Sequence, residues 1–296
     1  MGGKQRVGMI GLGKMGNPMS RNLFSAGYSL TVYDVVPSAM EELAEKGAKV
    51  ADSPKAVAAD VDVIISMIPD DHALEDVSIG LNGAFQGAKA QAIYIDMSTV
   101  SPVMSARVNE AAEEKGIKYL RAPVSGSTEY AEAGTLTILA SGPKEAYDQC
   151  QDVFGVLGQK NFYVGKRDEA RYLKLLLNMM VGITSAMTAE ALTFGKRGGL
   201  DWNQMIEIIN NSVVASPLIG FKVQLLKDRS FSPAFTASQM AKDFDLALDT
   251  GRSMDIPMPI TALTRQLYGA MKAMGKGGLD YFGLVALMEE IAGIKS

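Results

Sequence analysis

Residues 6–27, RVGMIGLGKMGNPMSRNLFSAG, decide how the rest of the chain reads. A short apolar run passes into Gly11-x-Gly13-x-x-Gly16 and then into a helical pattern over 14–26. That glycine spacing carries weight only where a strand leads in and a helix leads out, and both conditions hold here. Gly11 permits the tight turn, Gly13 lets the backbone approach a pyrophosphate, and Gly16 lets the helix pack close to the strand. The unpaired N–H groups at the helix start then face the phosphates. The competing reading is a glycine-rich turn with no ligand. The next strand, SLTVYD, ends at Asp34. A carboxylate there can accept from the adenosine ribose hydroxyls and repels a 2′-phosphate. Val35 and Val36 supply no arginine to hold one, so NAD is expected over NADP. Asp34 as a plain turn former is the alternative.

Outward from this turn, short apolar runs alternate with helical patterns. SAMEELAEKG reads as a helix ended by Gly47, while DVIISMIP, AIYIDMS, GIKYLRAPV, TLTILAS and NFYVG read as strands, with a helix over 143–157. Such alternation predicts a parallel sheet covered on both faces. The near-continuous Val/Ile runs suit strands buried on both sides. After Gly165 the strand signals stop, and helical stretches follow over 168–197, 201–211, 216–227, 236–251, 258–274 and 279–292. The expected fold is therefore α/β: an N-terminal doubly wound Rossmann sheet over 1–165, and an all-α C-terminal domain over 166–296.

The 296 residues are 47% hydrophobic and 21% charged, with a formal net charge of -4, which fits a globular protein without a nucleic-acid or membrane footprint. Cys150 and His72, the one cysteine and the one histidine, argue against a structural zinc site, and no metal is expected. Cys150 reads as a small buried apolar residue. The N-terminus has no apolar run of signal-peptide length, and the apolar stretch 175–189 is broken by Asn178, Thr184, Ser185 and Thr188. A cytoplasmic protein is expected.

In YLKLLLNMMVG, residues 172–182, a lysine enters an otherwise apolar helix. Lys174 and Asn178 are four apart and share a face. A helix apolar nearly all round is buried in a core or between subunits. Desolvation disfavours an ammonium, so such a lysine moves from about 10.4 toward about 7 to 8 and can trade a proton near neutral pH. A snorkelling lysine at a helix edge is the bland reading. Other candidate acid/base patterns are weaker. His72 reads as a surface residue, and Tyr268 with Lys272 as ordinary helix residues. Ser101-Pro102 reads as a helix cap with proline in the first turn.

The segments GLGKMGNPMSRNLFSAG, DMSTVSP (96–102), APVSGSTEYAEAGTLTILASG (122–142), KLLLN (174–178) and KDFDLAL (242–248) together resemble the β-hydroxyacid dehydrogenase family. Its members include 3-hydroxyisobutyrate dehydrogenase and tartronate and succinic semialdehyde reductases. The resemblance implies that Lys174 is the catalytic acid/base and that Asn178 orients the substrate. It implies that Ser125, Gly126, Ser127, Phe235 and Asp243 meet the substrate, and that Thr99 lies near both substrate and nicotinamide. Leu12, Met15, Met67, Pro69 and Lys242 join Gly11, Gly13, Gly16 and Asp34 at the cofactor. The implied protein is an NAD-dependent oxidoreductase of small 3-hydroxyacids, running in reverse as a semialdehyde or 2-oxoacid reductase. Its active site would lie in the cleft between the domains, and the buried helix and apolar C-terminal surfaces suggest a homodimer or homotetramer. An imine reductase on the same scaffold, or a non-catalytic dinucleotide-binding protein, is the alternative.

The chain departs from the family pattern at three places. Arg121 stands where aspartate is usual, Ser127 where a second glycine is usual, and Asp168 and Ala170 where glycines are common. Arg121 reads as a structural ion pair on a solvated face rather than a substrate anchor. The Ser127 hydroxyl either selects a polar substituent or caps a turn.

Overall fold

The computed structural model describes residues 4–294. Two compact units emerge, the first ending at Lys174 and the second beginning at Leu175.

The first unit is built on nine strands: β1 (Arg6–Ile10), β2 (Ser29–Tyr33), β3 (Lys49–Val50), β4 (Val63–Ser66), β5 (Ile93–Asp96), β6 (Lys118–Arg121), β7 (Val124–Ser125), β8 (Leu136–Ser141) and β9 (Gly158–Gly165). Its helices are α1 (Gly16–Ser25), α2 (Ser38–Glu45), α3 (Pro54–Ala58), α4 (Asp71–Ser78), α5 (Pro102–Glu114), α6 (Thr128–Glu132), α7 (Lys144–Gln149) and α8 (Gln151–Leu157). The strand order is β3-β2-β1-β4-β5-β6-β8-β7, with β9 paired to β8. From β3 to β6 all pairings are parallel. Sequence reading expects a parallel sheet throughout. Instead β8 runs antiparallel to both β6 and β7, while β9 is parallel to β8. A short return through β7 and α6 leaves no long crossover between β6 and β8, which a parallel neighbour would need.

The unbroken apolar runs follow from burial on both faces. Val63 and Ile65 of β4, with Ile93 and Ile95 of β5, enter one core cluster, whereas Ile64 and Tyr94 enter the other. Side chains alternate across a strand, so a sheet covered twice needs apolar residues at every position. Ser101 caps α5 by accepting from the Met104 amide at 3.0 Å, with Pro102 opening the helix. The expected single helix over 143–157 is two, broken at Cys150. Cys150 is fully buried, and burial pushes its thiol up to about 12, which leaves it unreactive at neutral pH.

The helices that follow are α9 (Glu169–Arg197), α10 (Trp202–Asn210), α11 (Pro217–Asp228), α12 (Ala237–Ser253), α13 (Pro259–Ala273) and α14 (Leu284–Ile291). The division between the units falls inside α9. In the second unit Ser185, Thr188 and Thr193 of α9 are buried, and Ser185 Oγ donates to the Tyr281 carbonyl at 2.9 Å. By length and composition α9 can span a bilayer, but these buried hydroxyls suit a helix packed in protein. It is not buried all round, contrary to the sequence expectation: Met180, Met187 and Phe194, seven apart along one side, are 61%, 54% and 82% exposed. α14 starts at Leu284 rather than 279, because Asp280 caps a 3-10 turn over Tyr281–Gly283 first. Two buried carboxylates brace this unit. Asp280 pairs with Lys222 of α11 at 2.7 Å, and Glu289 of α14 pairs with Lys196 at 2.9 Å and with Arg229.

Candidate active site

The glycine turn joins β1 to α1. Gly11 has φ +91°, and a Cβ there would lie 2.3 Å from the Met67 carbonyl oxygen, so no other residue fits without rearrangement. Gly16 is buried against the same turn: a Cβ would come within 1.9 Å of the Gly11 oxygen. Gly13 differs, since no described heavy atom lies within 4 Å of a Cβ built on it. The closed positions thus hold the turn, and the open one leaves a bare backbone face at the sheet's carboxyl edge. This combination fits the pyrophosphate of a dinucleotide.

Asp34 follows β2 and ties this edge together. One carboxylate oxygen accepts the Leu12 amide at 2.6 Å, and the other accepts the Val36 amide at 2.8 Å. Each oxygen retains a lone pair, so acceptance from a ribose hydroxyl remains open. Val35 is 78% and Val36 52% exposed. Half-buried Met15 precedes α1, and Met67 and Pro69 follow β4. Thr99, half-buried, follows β5. The Ile68 amide donates to Ser98 Oγ at 2.9 Å, which fixes the β4 and β5 exits to each other. The structure thus puts Gly11, Leu12, Gly13, Met15, Gly16, Asp34, Met67, Pro69 and Thr99 after the parallel strands β1, β2, β4 and β5, at the one sheet edge where doubly wound sheets bind ligands.

Ser125 ends β7, opposite Thr137 of β8. Gly126 has φ +139°, and a Cβ on it would crowd Tyr130 Cβ at 2.9 Å and Leu136 Cδ2 at 3.0 Å. Ser127 precedes α6 but makes no side-chain cap. Its buried Oγ bonds to none of the described residues, so of its two sequence readings the cap is overturned.

Lys174 is half-buried near the start of α9, between half-buried Leu173 and buried Leu175. One turn on, in the second unit, Asn178 is buried and its Nδ2 donates to Asp243 Oδ2 at 2.5 Å. Asp243 is 2% exposed and lies on α12, where Lys242 Nζ sits 2.9 Å from its other oxygen. Half-buried Phe235 lies just before α12, edge-on to Tyr281 with centroids 6.1 Å apart. Within this unit the structure joins Asn178, Asp243 and Lys242 in one chain of contacts.

Three groups set aside in the sequence have settings of their own. His72 is exposed beside Asp76, Tyr268 is fully buried with its hydroxyl donating to the Gly182 carbonyl, and Lys272 is exposed. Arg121 is not on a solvated face: it is 2% exposed, its Nε donates to Asp168 Oδ1 at 2.9 Å, and its guanidinium lies 4.5 Å from the Tyr119 ring centroid. The ion-pair reading gains a partner, and that partner is another departure from the family pattern.

Sequence reading missed Arg171 and Asp96, which form a fully buried ion pair. Burial alone would lower the Arg171 pKa, but Tyr119 and Asp96 outweigh it and hold it above the ordinary arginine value. Two signals were available: a second cation three positions before Lys174, and a lone carboxylate ending the apolar run IYID.

Comparison with known proteins agrees with this geometry. A family model described as the NAD binding domain of 6-phosphogluconate dehydrogenase matches residues 6–165. Another, described as the NAD-binding of NADP-dependent 3-hydroxyisobutyrate dehydrogenase, matches residues 169–288. The 2-(hydroxymethyl)glutarate dehydrogenase of Eubacterium barkeri is 33% identical over 98% of this chain and 96% of its own length. The mitochondrial 3-hydroxyisobutyrate dehydrogenase of Rattus norvegicus is 33% identical over 98% of this chain and 89% of its own. A Mycobacterium tuberculosis 3-hydroxyisobutyrate dehydrogenase structure with L-serine superposes with a TM-score of 0.88 at 25% identity, covering 97% of this chain and 99% of that one. The chain belongs to the β-hydroxyacid dehydrogenase family. It is an oxidoreductase of the NAD(P)-dependent hydroxyacid dehydrogenase and semialdehyde reductase class.

Proposed function

We propose that the protein oxidises a small 3-hydroxyacid with NAD, or reduces the matching semialdehyde or oxoacid, with Lys174 as general acid/base. The observation that carries this is the presence in one unit of an open glycine turn, tied to Asp34 through the Leu12 amide, and of a half-buried lysine at the head of α9. When bound, the nicotinamide supplies the hydride acceptor. Lys174 Nζ takes the hydroxyl proton as the carbon–hydrogen bond breaks and the carbonyl forms, and it returns that proton on reduction. Asn178, oriented by Asp243, is assigned as the substrate's hydrogen-bonding partner. Thr99, Ser125, Gly126 and Phe235 are assigned to substrate contact, and Lys242 to the cofactor. The imine reductase and the non-catalytic reading draw less support, because the relatives above are named for hydroxyacid chemistry.

A panel of 3-hydroxyisobutyrate, glycerate, 4-hydroxybutyrate and serine, each assayed with NAD and with NADP, tests this reading. At least one acid should be turned over, with kcat/KM favouring NAD by about tenfold or more. A clear NADP preference removes the Asp34 assignment, and an inert panel removes the substrate class.

A cytoplasmic location and a homodimer or homotetramer belong to the same proposal. The apolar side of α9 at Met180, Met187 and Phe194 supports self-association. Sedimentation at micromolar concentration should give a species of at least twice the 31.6 kDa chain mass; a monomer alone rejects it.

A further inference from the structure

The last residues of three strands lie in register across the first unit's sheet: Asp96 beside Arg121, and Arg121 beside Ser141. All three are buried. Each holds a different part of the entry into α9. Ser141 Oγ donates to the Arg167 carbonyl at 2.7 Å and accepts the Ala170 amide at 3.2 Å. Arg121 Nε donates to Asp168 at 2.9 Å. Asp96 accepts from Arg171 Nη2.

Arg171 is the most heavily committed of these residues. Besides Asp96, it donates to the Ser98 carbonyl at 2.8 Å, the Tyr119 hydroxyl at 2.9 Å and Ser105 Oγ at 3.3 Å. Its bonds therefore reach β5, the segment leaving β5, α5 and β6. A guanidinium is a planar fork of fixed donors, so these acceptors set its direction as well as its place. Burying the pair costs desolvation that an apolar side chain would avoid, so the arrangement is not the simplest filler of this space. Ser98 adjoins Thr99, and Arg171 precedes Lys174 by less than one helical turn. A displacement of α9 at 171 is carried by its backbone hydrogen bonds to 174.

We propose that Arg171 is a positioning residue, fixing the start of α9 against the Thr99 segment and so placing Lys174 Nζ, with the Arg121–Asp168 pair bracing the same turn. This rests on Lys174 being the acid/base. It also makes two departures from the family pattern, Arg121 and Asp168, one feature.

Arg171→Lys is the test. It keeps a positive charge for Asp96 and gives up the fork. With NAD and the fastest acid of the panel above, kcat should fall about 10- to 100-fold, because a misplacement near 1 Å costs that much, while KM for NAD stays within about twofold. A residue that serves stability alone would lower the melting temperature and leave kcat per NADH-titrated site unchanged, and that result overturns the proposal. Should Arg171→Lys fail to fold, Tyr119→Phe decides: it removes one bond to the guanidinium, and kcat should drop roughly threefold or more, an unchanged value rejecting the idea. Lys174→Ala, run alongside, separates the two levels. If Lys174→Ala turns over normally, the acid/base reading is wrong and the positioning role falls with it. If it is inactive while Arg171→Lys keeps the parental kcat, only the positioning role falls.

Discussion

Lys174→Ala is expected to lower kcat by roughly 10³-fold, within the range that a positioned general acid or base contributes. The hydroxyl proton would then have to leave to water while the carbon–hydrogen bond breaks. NADH affinity, read from fluorescence on binding, should stay within about twofold, since the glycine turn and Asp34 are untouched. A loss carried by KM, with kcat intact, would mean that Lys174 binds the substrate and another group moves the proton. The size of the effect also depends on Asn178, whose Nδ2 is held by Asp243 at 2.5 Å and so keeps its orientation in the variant. The folded state should survive, because Lys174 is half-buried at a helix position and alanine is a good helix former.

Lys222→Met should lower the unfolding free energy by about 3–5 kcal/mol, the usual cost of breaking a buried ion pair from one side. Lys222 is 4% exposed, and its Nζ lies 2.7 Å from Asp280 Oδ2 and 4.7 Å from the centroid of Tyr281. Asp280 has no exposed surface, and its other oxygen accepts the Phe282 amide at 3.0 Å. Methionine fills the volume but leaves the buried carboxylate without a counter-charge. Urea unfolding compares the variant with the parent. A loss below about 1 kcal/mol would show that water reaches the carboxylate, as it does for surface pairs.

How far the sequence was legible depended on how local each cause is. The glycine turn was readable because Gly11 and Gly16 are demanded by contacts within the turn or just across it. The helices after residue 165 were readable because apolar periodicity and glycine stops are local signals; α9 starts at Glu169 and ends at Arg197, against an expected 168–197. The two-residue strands β3 and β7 are too short to leave a pattern. The reversed direction of β8 had no signal either, since a buried strand reads alike in both directions. Pairings made at long range were hidden altogether. Arg121 finds Asp168 47 positions away, Arg171 finds Asp96 75 away, and Lys222 finds Asp280 58 away. Each looks from the sequence like a surface charge, and only the fold supplies the partner that lets it be buried. The same limit applied to Asn178 and Asp243: the resemblance gave each a role at the site, but only the fold shows them hydrogen-bonded, 65 positions apart.

The two amide bonds accepted by Asp34 bear on any attempt to redesign coenzyme choice. Removing that carboxylate would also untie Leu12, and with it the loop between β1 and α1. The solvent-facing neighbours Val35 and Val36 can take a cationic side chain without that loss, so retargeting is structurally cheapest when it begins there and leaves the acid in place.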